Sequence, residues 1–273
     1  MTDEPRDPID DAVDEPDQPR HIWRYVGIGL FAGFLSGLFG IGGGIVIVPL
    51  LVLLTTLPRR RAAGTSLAAI VPAALVGAAS YAAGGDVDWI VALILVVGSV
   101  VGAQLGAWLL HRLPIAAIRW GFIAFLALVA VNLFLASPTR EGAFALEPGP
   151  IAALVALGFV TGVLSGILGV GGGIVVVPML ILLFGMSDLT AKGTSLAMML
   201  PTAVSGTIGN WRKRNVDLWA AGIIGLSACV TTALGAGVAG ALDPRTASVV
   251  FAVFLVILII RMSVEAVRKG RAE

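Results

Sequence analysis

The chain has 273 residues, of which 58% are hydrophobic and only 13% charged, with a formal net charge of +1 and a mean hydropathy of +0.97. Stretches of twenty residues and more carry no Asp, Glu, Lys or Arg, which excludes a soluble globule and makes this an integral membrane protein. Thirty-five glycines in continuous apolar runs, without ten-residue apolar/polar alternation, favour a helical bundle over an outer-membrane barrel.

Residues 1–22 come first. They concentrate acidic side chains, Asp3, Glu4, Asp7, Asp10, Asp11, Asp14, Glu15 and Asp17 against Arg6 and Arg20, with prolines at 5, 8, 16 and 19. Such a segment reads as a disordered, solvated cytoplasmic tail. It lacks the basic start and short apolar core of a secretory signal, so the first hydrophobic segment is expected to stay as a span. The rest of the chain holds a surplus of basic residues, as expected of loops retained in the cytoplasm, and no nucleic-acid partner is implied. Cys229 is the only cysteine, and His21 and His111 have no second ligand at useful spacing, so no metal and no cofactor is expected.

An internal repeat organises the remainder. Gly33–Pro49, GFLSGLFGIGGGIVIVP, matches Gly162–Pro178, GVLSGILGVGGGIVVVP, at twelve of seventeen positions with an offset of 129. The same offset aligns AAGTSLAAIVP (Ala62–Pro72) with AKGTSLAMMLP (Ala191–Pro201), Val87-Asp88 with Val216-Asp217, and Gly106 with Gly235. The chain is a duplication. Repeat 1 spans 23–137, an extracytoplasmic linker 138–150, repeat 2 spans 151–265, and 266–273 form a basic cytoplasmic tail.

Apolar segments fall at about 25–57, 62–83, 88–110 and 116–136, and again at about 150–184, 193–210, 217–241 and 246–262. The first segment of each repeat exceeds thirty residues and is broken by Gly40-Ile41-Gly42-Gly43-Gly44 or Gly169-Val170-Gly171-Gly172-Gly173. A continuous helix is disfavoured there, and a hairpin of two short helices is expected, the second beginning near Ile45 or Ile174. The alternative is one long tilted span.

Basic clusters change loops between the repeats. Arg59, Arg60 and Arg61 align with Asp188, Leu189 and Thr190, whereas Arg212, Lys213 and Arg214 align with Ala83, Gly84 and Gly85. Under the positive-inside rule, matched loops then face opposite sides, so the repeats are inverted, with a hairpin plus three transmembrane helices in each and both termini in the cytoplasm. All six tryptophans lie near segment ends, where interfacial anchors belong.

Inversion brings the two glycine tips to the midplane from opposite sides and aims two helix N-termini at one centre. Their amides and macrodipoles make an anion site without a charged side chain. Candidate substrate contacts are Ser36, Gly40, Gly42, Gly43 and Gly44, their counterparts Ser165, Gly169, Gly171, Gly172 and Gly173, and the span-opening hydroxyls Thr65, Ser66, Thr194 and Ser195. Lys192, where repeat 1 has Ala63, adds a positive charge near the outer mouth. No Asp or Glu falls well inside an apolar segment, which disfavours a cation site. Competing readings are packing for the GxxxG glycines (Gly33/Gly37, Gly98/Gly102/Gly106, Gly162/Gly166), local helix bonds for the Thr and Ser hydroxyls, and interhelical bonds for Gln104, Asn132 and Asn210.

The duplicated SGLFGIGGGIVIVP and SGILGVGGGIVVVP, each followed by GTSLA and a proline, resemble the sulfite exporter TauE/SafE family, also called the 4-toluene sulfonate uptake permease family. The resemblance spans about residues 25–265. It implies a multi-pass plasma-membrane transporter of sulfur-containing anions such as sulfite, sulfonates or sulfoacetate, rather than an enzyme. Its partners are a small anionic solute and the lipid bilayer; coupling stays open between a coupling proton or counter-ion, in symport or antiport, and facilitated diffusion. An anion channel and a membrane-embedded assembly factor or enzyme are the alternatives; the last needs paired intramembrane His, Asp or Glu.

Overall fold

The computed structural model describes residues 22–109, 115–135, 148–168 and 171–270. The acidic tail before Ile22, most of the 138–150 linker, Gly169 and Val170 of the second tip, and the last three residues lie outside the described residues. Among the described residues the chain is all-α, with ten helices and no strand: α1 (Ile22–Phe39), α2 (Gly44–Leu54), α3 (Arg59–Ala83), α4 (Trp89–Leu109), α5 (Ile115–Leu135), α6 (Pro148–Leu168), α7 (Gly173–Phe184), α8 (Asp188–Arg212), α9 (Leu218–Ala241) and α10 (Pro244–Gly270). Five of them, α1, α3, α4, α9 and α10, are long and apolar enough to cross a membrane. Large apolar side chains on their outer faces, such as Leu75, Leu93, Val97, Leu226, Val230 and Ile257, are exposed, as a lipid-facing surface requires.

Each long apolar segment is two helices. In the first hairpin Gly43 closes back on Ala32 of α1, whose carbonyl oxygen would stand 3.0 Å from a methyl at Gly43. The Arg24 guanidinium at the start of α1 donates to the Leu54 carbonyl at the end of α2, at 2.9 Å. The hairpin therefore begins and ends on the same side. Ala32 lies ten residues into α1, so α2 starts about 15 Å from the open end, about half the thickness of a hydrocarbon core. The second hairpin repeats the turn: Gly172 faces Thr161 of α6, the residue 129 after Ala32.

Two elements start earlier than hydropathy suggests. Arg59, Arg60 and Arg61 form the first turn of α3, and Asp188 to Lys192 the first turns of α8. For α8 the cause is capping: Ser187 accepts a bond from the Thr190 amide and so begins the helix ahead of the apolar stretch. The repeated Val-Asp pairs have the same explanation, since Asp88 accepts from the amides of Ile90 and Val91, and Asp217 from that of Ala220.

Glycine sets how the helices assemble. Methyls at Gly29, Gly33 and Gly37 of α1 would collide with Ile224, Ala228 and Thr232 of α9. Methyls at Gly98, Gly102 and Gly106 of α4 would strike Val155, Phe159 and Val163 of α6, while Gly158 and Gly162 press on Leu95 and Ser99 in return. Residue numbers rise together along both interfaces, so α1 runs parallel to α9 and α4 parallel to α6. Where α3 meets α8 the order reverses, Leu67 facing Gly206 and Gly77 facing Leu196, so these equivalent helices are antiparallel. The repeats thus exchange helices: α1 packs on α9, α4 on α6, and α5 on α10, each pair joining one repeat to the other.

Gly102→Leu should force α4 off α6 and cost about 3 kcal/mol, seen as early melting of the detergent-solubilised protein. Gly222→Leu, where no atom lies within 4 Å of the added carbon, should melt like the parent.

Candidate functional site

The two tips meet. A methyl built on Gly173, the first residue of α7, would lie 2.8 Å from the Gly40 carbonyl oxygen and 2.9 Å from Ile41 Cα. Five glycines at the tips hold left-handed backbone, with φ of 70° at Gly40 and Gly42, 73° at Gly43, 84° at Gly171 and 82° at Gly172. L-residues avoid this region, so the tips require glycine for conformation as well as for space. Helix bonding begins only at Val46, whose amide donates to the Gly43 carbonyl, and at Val175, whose amide donates to that of Gly172. The amides ahead of Val46 and Val175 fall outside the helix ladders, and glycine brings no side chain to cap them.

The two helix starts enclose a packed apolar contact. Met199 of α8 is fully buried, and its thioether touches Gly42, Gly171 and Gly173. Ile70 of α3 is equally buried and reaches Gly42 and Gly171. Ile70 and Met199 are 129 positions apart, so matched residues of the two repeats fill the space between the tips.

The hydroxyls around the tips divide into two groups. Thr65 accepts from the Asp217 amide and Thr194 from the Asp88 amide, each at 3.0 Å. Beside them Gly64 and Gly193 press on the Asn215 and Asp86 carbonyls. These are reciprocal docking contacts between repeats. Ser195 donates to the Gly40 carbonyl at 3.0 Å and holds the first tip from α8. By contrast, the Ser36 and Ser66 hydroxyls are completely buried without a hydrogen-bond partner. Ser165 is buried, as are Gly44 and the other described tip glycines; Gly169 lies outside the described residues.

Lys192, one turn into α8, is buried, and its Nζ lies 3.1 Å from Asp188 Oδ2. Its stem packs on Gly40, with Cα 2.6 Å from where a methyl on that glycine would stand. Asp188 is itself buried in the first turn of α8, at the end of that helix and ahead of the apolar stretch. The cause is the early start of α8, which draws the acid from the presumed loop into the helix. Ile70 and Met199 were hidden for a different reason: apolar side chains give no chemical signal, and only the offset of 129 pairs them.

A family model for "Sulfite exporter TauE/SafE" matches residues 5–133 and 154–273. The "Probable membrane transporter protein YunE" of Bacillus subtilis (strain 168) is 27% identical over 254 residues, covering 85% of this chain and 93% of that protein. The "Probable membrane transporter protein YdhB" of the same organism is 38% identical over 78 residues, covering 29% of this chain and 32% of that protein. No solved structure matches. The family match extends over both repeats and both glycine tips, and the chain belongs to the sulfite exporter TauE/SafE family of membrane transporters.

Proposed function

We propose that the protein is a secondary transporter of small anions, sulfur oxyanions among them, that works by alternating access around the meeting point of the two tips. The observation that carries this reading is the contact of the α7 start with Gly40 and Ile41, beside buried serine hydroxyls that have no partner. An unpaired buried hydroxyl is costly unless a ligand uses it. Helix starts supply amide donors and partial positive charge, and the serines supply O–H donors, which together suit an oxyanion. The name shared by the family model adds sulfite as the first solute to test.

The repeats lie inverted in the plasma membrane, with both termini cytoplasmic. The antiparallel packing of α3 on α8 supports this, as does a first hairpin that returns to its own side, leaving three net crossings per repeat. The structure is read as an occluded state. Met199 and Ile70 close the contact between the tips, and rocking of one helix set against the other withdraws them to admit solute from one face at a time. Methionine suits that task because its unbranched thioether repacks at low cost.

Ser36→Ala and Ser66→Ala should leave thermal stability unchanged or slightly raised, because each removes an unpaired polar group. The same variants should reduce [35S]sulfite counterflow in proteoliposomes about ten-fold, the order of a lost hydrogen bond to a charged ligand. Full transport would remove both hydroxyls from the site. In a Cys229→Ser background, Arg60→Cys and Gly185→Cys should react with impermeant thiol reagents from opposite sides; labelling from one side would end the inverted reading. Met199→Ala should raise passive sulfite leak above that of the parent, and an unchanged leak would deny Met199 a gating role.

A further inference from the structure

Among the described residues, Asp188 and Lys192 are the only buried charged side chains, 1% and 3% exposed. Taking two charges out of water costs several kcal/mol per ion in general, repaid only by close pairing and full hydrogen bonding. Here the repayment is incomplete. Lys192 Nζ lies 3.1 Å from Oδ2, but the other carboxylate oxygen, Oδ1, is buried with no hydrogen-bond partner. The fold does not need the pair for docking, because the matched positions in α3 are Arg59 and Ala63, yet α3 makes the same threonine contact with the opposite repeat as α8. A costly feature present in only one repeat points to function.

Its location gives the chemistry. The Cα and Cβ of Lys192 stand 2.6 and 2.7 Å from the position a methyl would take on Gly40, and Ser195, three residues later, donates to the Gly40 carbonyl. The pair is therefore built against the first tip, on the side where α8 begins. Tyr81 of α3 is within electrostatic reach of both Asp188 and Asp86, and its hydroxyl donates to the Gly37 carbonyl. The cluster on this side thus holds one lysine, a buried carboxylate with an idle oxygen, and Asp86 at the turn after α3.

We propose that Asp188 is an internal counter-anion for Lys192, displaced by the transported anion when the tip is loaded. The inference rests on the anion-carrier reading above. An incoming oxyanion offers Lys192 the same donor-to-oxygen contact that Asp188 gives it, so exchange substitutes one negative charge for another beside a buried ammonium. Lys192 thereby selects for negative charge, and Asp188 weakens binding enough for release. Both residues belong to repeat 2, so this step operates on one face of the carrier only.

The test is [35S]sulfite exchange in proteoliposomes by the full chain, with sulfate, methanesulfonate and acetate as competitors, and melting in detergent measured in parallel. Asp188→Asn, which adds one net positive charge at the tip, should lower the half-saturating sulfite concentration about five-fold or more and slow maximal exchange. Asp188→Asn with Lys192→Met removes both charges; it should melt like the parent yet show no gain in affinity and a weakened preference for sulfite over acetate. A merely structural pair predicts otherwise: Asp188→Asn melts early with unaltered half-saturation, and the double variant restores parental stability, kinetics and preference. That result overturns the proposal while leaving the carrier reading standing. A parent chain that exchanges none of the four anions overturns both.

Discussion

Within hydrocarbon a backbone amide has no water to turn to, so interrupting a helix there is tolerated only where protein surrounds the break. This chain interrupts two, and the rest of the molecule is arranged around the cost. Left-handed glycines make the turns, α1 and α6 shield them from behind, and α3 and α8 close them from the front. The result is the start of α7 in contact with the first tip at Gly40 and Ile41, with amides outside the helix ladders and two serine hydroxyls unused. A fold in which every backbone donor closed its own ladder would have nothing there to offer a solute.

Close approach of helices makes the enclosure possible. In a bilayer no hydrophobic effect pulls helices together, so backbone-to-backbone contact at glycine carries much of the association. The stripes on α1, α4 and α6 serve that role. The threonine and glycine of each Gly-Thr-Ser triplet serve a second, locking the start of α3 or α8 onto the turn before α9 or α4 of the opposite repeat. Part of what looks like a hydroxyl-rich ligand motif is therefore joinery. The distinction matters for the site: a hydroxyl already accepting an interrepeat bond positions the tips, whereas the unpaired ones have capacity left for a solute.

The fold was largely legible because duplication leaves signals that hydropathy alone does not. The triple glycines marked the hairpins, and the structure starts their second helices at Gly44 and Gly173, one residue ahead of Ile45 and Ile174. The Trp23, Trp89, Trp120, Trp211 and Trp219 side chains are exposed at or near helix ends, as their spacing suggested. What escaped was pairing in space. Spacing along the chain cannot reveal that Thr65 bonds beside Asp217, that a methionine and an isoleucine meet between the tips, or that a capped helix start carries Asp188 inward to Lys192. The first two depend on which repeat lies against which, and the third on where α8 begins.

Helix exchange has a consequence for descent. Neither repeat keeps a closed interior of its own, because the glycine stripe of α1 is answered by α9 and that of α4 by α6. A half-length ancestor would have left both stripes bare unless a second copy covered them. On the inverted arrangement proposed above, such a polypeptide enters the bilayer in both orientations, and fusion of two copies lets each fix its own basic loops and diversify alone.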